Sequence, residues 1–118
     1  FLDDATRKKM GEQAVSLAKQ VNYYSAGTVE FVVDKEKKFY FLEMNTRLQV
    51  EHPVTEAITG IDLVKEMINI AQGKMLSINQ ESLNPKGWSI EARLCSEDPK
   101  KDFLPSAGKI LKMELPNN

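Results

Sequence analysis

Between Glu43 and Glu51 every second residue is polar, and no two neighbours in that row share a chemistry: Glu43, Asn45, Arg47, Gln49, Glu51. In an extended segment alternate side chains point to one face. The row would therefore set two carboxylates, two amides and one guanidinium side by side. The other face carries Leu42, Met44, Leu48 and Val50, with Thr46 as its one polar member. A solvated outer face of an antiparallel strand accounts for most alternating patterns, but the order of chemistries favours a site. An acid and an amide two residues apart both offer oxygen to a hard cation. A guanidinium and an amide next in line hold a small oxyanion, and a second carboxylate beyond them can take a proton.

Glu30 extends this reading. It shares a face with Thr28 and Val32, while Val29, Phe31 and Val33 occupy the other. It either faces water or shares a cleft with the second strand. A hairpin turning near Glu36–Lys37 would bring it across from Glu43. Two carboxylates so close repel unless a cation lies between them, which predicts a divalent site of Glu30, Glu43 and Asn45. Oxygen-only ligands favour magnesium or manganese over zinc, and such sites leave positions for water and nucleotide phosphates.

These groups need elements to hold them. Asp3 and Asp4 can cap a helix whose apolar positions Met10, Ala14, Val15, Leu17, Ala18 and Val21 recur at three- and four-residue spacing, ending near Asn22. Ser25-Ala26-Gly27 is a turn, Thr28–Val33 a strand, Asp34–Lys38 a turn, and Phe39–Met44 the returning strand. Pro53 interrupts extension. Val54–Thr59 reads as a short helix stopped by Gly60, and Leu63–Gln72 as another, capped by Asp62 and stopped by Gly73. Ser77–Leu83 is ambiguous between a loop and one helical turn. Ser89–Cys95 alternates like a strand, and Lys109–Leu115 reads as a final one. The order αββααββ indicates an α+β architecture with an antiparallel sheet.

The 118 residues, 42% hydrophobic and 28% charged, are ordinary for one soluble domain or a piece of one. A net charge of −1 gives no support to nucleic-acid binding, and the KEKK run at 35–38 reads as a solvated turn. Cys95 is the sole cysteine, so no internal disulfide forms. No apolar run approaches a membrane span, and no targeting segment is visible. The start at Phe1 suggests a piece of a longer protein.

The motifs AGTVEF at 26–31, FLEMNTRLQVEHPVTE at 41–56 and ITGIDLVKEM at 58–67 resemble the biotin carboxylase component of biotin-dependent carboxylases, an ATP-grasp family. The likeness continues through WSIEAR at 88–93, EDP at 97–99 and FLPSAGKI at 103–110. The EMN element is shared by other ATP-grasp ligases; NTRLQVEHPVTE followed by EAR is far more specific. FLDDATRKKMGEQAV and Gly87-Trp88 look most like the α subunits of propionyl-CoA carboxylases.

The resemblance implies the C-terminal part of an ATP-grasp domain over 1–86 and the beginning of the biotin carboxylase C-terminal domain over 87–118. It implies that ATP phosphorylates bicarbonate to carboxyphosphate, which carboxylates biotin on its carrier domain. In that scheme Glu30 and Glu43 hold Mg2+ or Mn2+ on the ATP phosphates, with Asn45 beside them. Arg47, Gln49 and the Val50 N–H bind bicarbonate, and Glu51 is the general base. Arg93 stabilises the enolate-like oxygen of biotin, a fixed cation against developing charge, and Val32 lines the adenine pocket. Implied partners are the biotin carboxyl carrier domain, a carboxyltransferase subunit and a second copy of the chain. The implied compartment is the bacterial cytoplasm or the mitochondrial matrix.

No glycine-rich phosphate loop occurs in these residues, so the isolated chain is expected to be inactive, and the unpartnered edge of the final strand, Lys109–Leu115, is expected to make it self-associate. Alternative readings are another ATP-grasp ligase, such as a carbamoyl-phosphate synthetase, or a non-catalytic assembly module. His52 reads as a satisfied structural histidine, Cys95 as a small packed residue, and Trp88 as a packing anchor.

Overall fold

Helix α1, Asp4–Gln20, starts where Asp3 accepts the Thr6 N–H at 2.8 Å in an N-cap. Its half-buried residues include Met10, Ala14, Leu17 and Ala18, one face of the 3.6-residue period. This computed structural model describes residues 1–114. The helix ends in a turn in which the Tyr23 hydroxyl donates to the Ala26 carbonyl at 2.6 Å. There Gly27 lets the chain pass close to the second strand: a β-carbon on it would stand 3.2 Å from the Asn45 carbonyl oxygen.

The strands β1, Thr28–Val33, and β2, Phe39–Asn45, pair antiparallel. Asp34 builds the connection, its carboxylate accepting the N–H groups of Glu36 and Lys38 at 2.9 and 2.8 Å. Lys37 sits there at φ 64°, and its ammonium meets Asp3 at 2.9 Å, tying the hairpin tip to the start of α1. Next to the turn, Val33 faces Phe39 and Phe31 faces Phe41. The register then shifts at a bulge, Leu42 is left without a partner, and Glu30 faces Glu43. On the other face Phe31 and Phe39 meet edge to face with centroids 5.5 Å apart.

The alternating row does not continue as a strand. β2 ends at Asn45, and residues 46–51 form a loop into α2, His52–Thr59. Val50, expected to pack, is exposed, as is Leu42. α2 begins two residues earlier than periodicity suggested, because Pro53 sits in its first turn, where the missing N–H costs nothing. Gly60 closes it at φ 72°. α3, Leu63–Ala71, is capped twice: Asp62 accepts the Lys65 N–H at 2.8 Å and Glu56 accepts the Leu63 N–H at 2.7 Å. Glu66 then receives the Ser77 hydroxyl at 2.9 Å, and Gln80–Ser82 makes one 3-10 turn.

Beyond this the expectations diverge. Ser89–Cys95 is not a strand: Trp88 is 99% and Ile90 94% exposed, and Cys95 is exposed too. A strand requires a partner for its N–H and C=O groups, and none lies alongside among the described residues. Trp88 therefore anchors no packing here. The short ladder that does form pairs β3, Glu97–Asp98, with β4, Leu104–Pro105. Of the expected strand Lys109–Leu115, residues 109–114 are irregular, and Leu115 lies outside the described residues.

No described residue is fully buried. The surface of 10514 Å² compares with about 6,500 Å² expected for a folded chain of this mass. The radius of gyration, 18.1 Å, exceeds the roughly 13–14 Å of a closed domain of this length. The elements are well formed locally, and their apolar faces are not covered within the chain.

Candidate functional site

The bulge at Leu42 organises the site. Without it, pairing from the turn onward would put Leu42, not Glu43, opposite Glu30. With it, the two carboxylates share one face of the hairpin. Asn45 closes the arrangement: its Nδ2 donates to Glu30 Oε1 at 2.7 Å and to Glu43 Oε1 at 3.4 Å. The amide thus supplies positive hydrogens between two acids, where a hard cation would be stable. Arg47 Nη2 donates to Asn45 Oδ1 at 3.4 Å, and Gln49 Nε2 reaches Glu30 Oε1 at 3.4 Å.

Four of the five row residues are therefore linked to one another through hydrogen bonds or through Glu30, although only two of them lie on the strand. The loop after Asn45 curls the row back over β1 instead of extending it. Together with the adjoining helix it encloses a cleft of about 520 Å³ lined by Thr28, Glu30, Arg47, Gln49, Glu51 and His52, among others. A larger groove of about 640 Å³ runs along α1 past Lys8, Gly11 and Val15 and includes none of these groups. We place the chemistry in the smaller one, because convergent polar groups and not size define a site.

Glu51 occupies the N-cap of α2, yet its side chain makes no capping bond. Ser, Thr, Asp and Asn are the usual choices there. A glutamate that leaves the helix uncapped keeps its carboxylate available to the cleft. No three His, Cys, Asp or Glu side chains converge among the described residues. A cation held by Glu30, Glu43 and Asn45 would thus complete its shell with oxygens from outside the protein, which suits magnesium and not zinc.

The remaining sequence candidates stand apart. Arg93 is exposed in the irregular segment and does not line the cleft. Val32 is half exposed on β1, beyond Glu30, and Val50 does not line the cleft either. His52, read from sequence as a satisfied structural histidine, is one: its Nδ1 lies 2.8 Å from the Gln49 carbonyl oxygen, and the residue also lines the cleft. Only the Glu-His-Pro helix start could have signalled that.

The family model described as the ATP binding domain of the carbamoyl-phosphate synthase L chain matches residues 1–79, and the chain belongs to that family. It is 64% identical over 116 residues to the propionyl-CoA carboxylase alpha chain of Ruegeria pomeroyi, covering 98% of this chain and 17% of that one. It is 55% identical over 116 residues to biotin carboxylase 1 of Bacillus subtilis, covering 98% of this chain and 26% of the relative. Its fold matches the biotin carboxylase domain of a thermophilic 2-oxoglutarate carboxylase bound to bicarbonate, with a TM-score of 0.89 and 50% identity over 99% of this chain and 26% of that one. A biotin carboxylase–β-γ-ATP complex from Campylobacter jejuni matches equally well, at TM-score 0.89 and 51% identity, with the same coverage. The chain is an α+β portion of the ATP-grasp fold and spans about a quarter or less of the length of these relatives.

Proposed function

We propose that the chain is the metal-, bicarbonate- and base-bearing portion of a biotin carboxylase, acting within an acyl-CoA carboxylase for propionyl-CoA. The observation that carries this is the convergence of Asn45 and Gln49 on one oxygen of Glu30, with Arg47 and Glu51 in the same cleft. Its likeness to propionyl-CoA carboxylase alpha chains supports the finer assignment. ATP and Mg2+ as ligands are supported by the family and by a Hydrogenobacter thermophilus relative solved with MgADP; Mn2+ is the alternative ion.

In this scheme Glu30, Glu43 and Asn45 hold the metal ion, which neutralises charge on the ATP phosphates when bound. Arg47 offers bicarbonate a fork of N–H donors, with Gln49 and the Val50 N–H beside it. Glu51 removes the bicarbonate proton, and the freed oxygen attacks the γ-phosphate to give carboxyphosphate and ADP. Arg93 stabilises the negative charge that develops on the biotin ureido oxygen before carboxylation. Val32 lines the adenine side. The carboxyl group then leaves on the carrier domain for a carboxyltransferase subunit, and the intact enzyme is homo-oligomeric. We assign 1–86 to the ATP-grasp domain and 87–118 to the start of the C-terminal domain. The relatives include bacterial and mitochondrial chains, which supports a bacterial cytoplasmic or mitochondrial matrix location.

The test is Arg47→Ala in the intact carboxylase. Bicarbonate-dependent ATP cleavage should require about a hundredfold more bicarbonate, as expected when a charge-assisted contact of about 2–3 kcal/mol is lost. An unchanged bicarbonate requirement would remove the assignment. A carbamoyl-phosphate synthetase would instead show ATP cleavage coupled to an amine donor and indifferent to biotin.

A further inference from the structure

We infer that Asn45 couples cation binding to oxyanion binding: seating a divalent ion on Glu30, Glu43 and Asn45 releases Arg47 and Gln49, the two side chains that receive bicarbonate. This rests on the reading above and adds the link between its two halves.

The two halves share atoms. Asn45 turns its nitrogen to the acids, donating to Glu30 Oε1 at 2.7 Å and to Glu43 Oε1 at 3.4 Å. It turns its oxygen to Arg47, whose Nη2 donates at 3.4 Å. Acceptors on one side and a donor on the other fix that orientation of the amide. Mg2+ takes oxygen ligands, so ligation by Asn45 requires the carboxamide to rotate by roughly half a turn, about a torsion with broad, nearly two-fold wells. The nitrogen then faces Arg47. A guanidinium only donates, and two donors do not bond, so Arg47 is let go.

Glu30 repeats the exchange. Its Oε1 accepts from Asn45 and also from Gln49 Nε2 at 3.4 Å. A cation on that oxygen repels the hydrogens of both amides and frees Gln49. The firm contact is the short, half-buried one between Asn45 and Glu30, whereas those of Arg47 and Gln49 are long for N–H donors and are given up easily. The coupling is therefore modest, and it is reciprocal: bicarbonate tightens the cation by the same factor. Bare attraction between cation and anion would also tighten bicarbonate, but it would not pass through the Asn45 amide.

The probe is isotopically labelled bicarbonate. Its dissociation constant in the intact carboxylase is read from NMR line broadening with ADP present, with and without Mg2+. In the parent, Mg2+ should tighten bicarbonate about fivefold. Asn45→Ala removes the acceptor that holds Arg47, so without Mg2+ it should bind bicarbonate about threefold tighter than the parent. Asn45→Asp presents an oxygen to Arg47 in either rotamer. Without Mg2+ it should bind no tighter than the parent, and Mg2+ should improve it by less than about twofold.

Unchanged or weaker binding by Asn45→Ala without Mg2+ would overturn the inference. So would a full Mg2+ effect in Asn45→Asp, which is what bare charge attraction gives. Thermal unfolding identifies loss of fold; if Asn45→Ala does not fold, Asn45→Asp, close in shape to the parent, decides alone. Arg47→Ala in the same assay separates the two failures. If it weakens bicarbonate with Mg2+ present while the Asn45 variants behave like the parent, only the coupling falls. If Arg47→Ala leaves that affinity unchanged, the bicarbonate reading falls and the inference with it.

Discussion

Glu30 and Glu43 face each other directly across β1 and β2, and they do so because the register shifts beside them at Leu42. The bulge converts a hairpin whose turn alone would oppose Glu30 with an apolar residue into one that opposes it with a second acid. Bulges are common where a strand must re-aim a side chain, and Asn45 Nδ2 bridges the pair that results.

Replacing Glu43 by Gln removes one charge while keeping shape and hydrogen-bonding capacity. In the intact enzyme we expect metal-dependent ATP cleavage to fall by at least about a hundredfold, with thermal unfolding nearly unchanged. Normal turnover with normal magnesium dependence would show that the pair does not hold the ion.

Glu51 and Arg93 should act on different steps, since one lies in the cleft and the other is exposed in the segment after α3. Glu51→Ala should suppress bicarbonate-dependent ATP cleavage, whereas Arg93→Ala should spare it and depress transfer to biotin. Following phosphate release and biotin carboxylation separately tests this. Equal losses in both steps for both variants would refute the division.

Gly27 has little room for a side chain. A methyl there would meet a Tyr23 ring carbon at 3.0 Å, the Asn45 carbonyl oxygen at 3.2 Å and the Met44 methyl at 3.2 Å. Gly27→Ala should cost about 1–3 kcal/mol by overpacking. It should also weaken magnesium activation, because the strand end that must yield carries Asn45. Calorimetry and a magnesium titration measure the two effects together.

Asp3 supplies a pH dependence. The hydrogen bond from Lys37 first, and the Thr6 N–H second, hold its carboxyl well below the usual carboxylate range. A depressed folded-state value means that the contribution is complete above the unfolded value near pH 4 and is lost as pH falls toward the folded one. Helix content followed by circular dichroism should therefore be flat from about pH 7 to pH 4 and decline below. In Asp3→Asn the cap persists and that part of the decline should disappear; an identical profile would discount the contact.

The chain taken alone should bind nucleotide weakly and associate with itself. The apolar residues Trp88, Ile90 and Leu94 are almost wholly exposed and offer a contiguous sequence stretch for association. Light scattering that finds a monomer at high concentration, with nucleotide affinity near that of a full biotin carboxylase, would contradict this. Self-association was expected from sequence through a strand edge at 109–115, but residues 109–114 form no strand.

What the sequence determined by itself is local. Asp3 and Asp62 cap their helices, Gly60 ends α2, and Asp34 folds the turn, because each acts on backbone groups within four residues of itself. The chemistry of the row was legible for the same reason: carboxylate, amide and guanidinium are properties of residue types. Tertiary structure alone decided how those groups meet. The alternation from Glu43 to Glu51 looked like one strand, yet the chain leaves the sheet at Asn45, and the row closes on Glu30 by looping over β1. The bulge at Leu42 could not be read, since register depends on the partner strand and on the conformation of the turn, where Lys37 adopts a left-handed backbone. Ser89–Cys95 failed as a strand for the complementary reason: alternation marks a face able to pair, but hydrogen-bond partners must come from another segment, and no described residue supplies them.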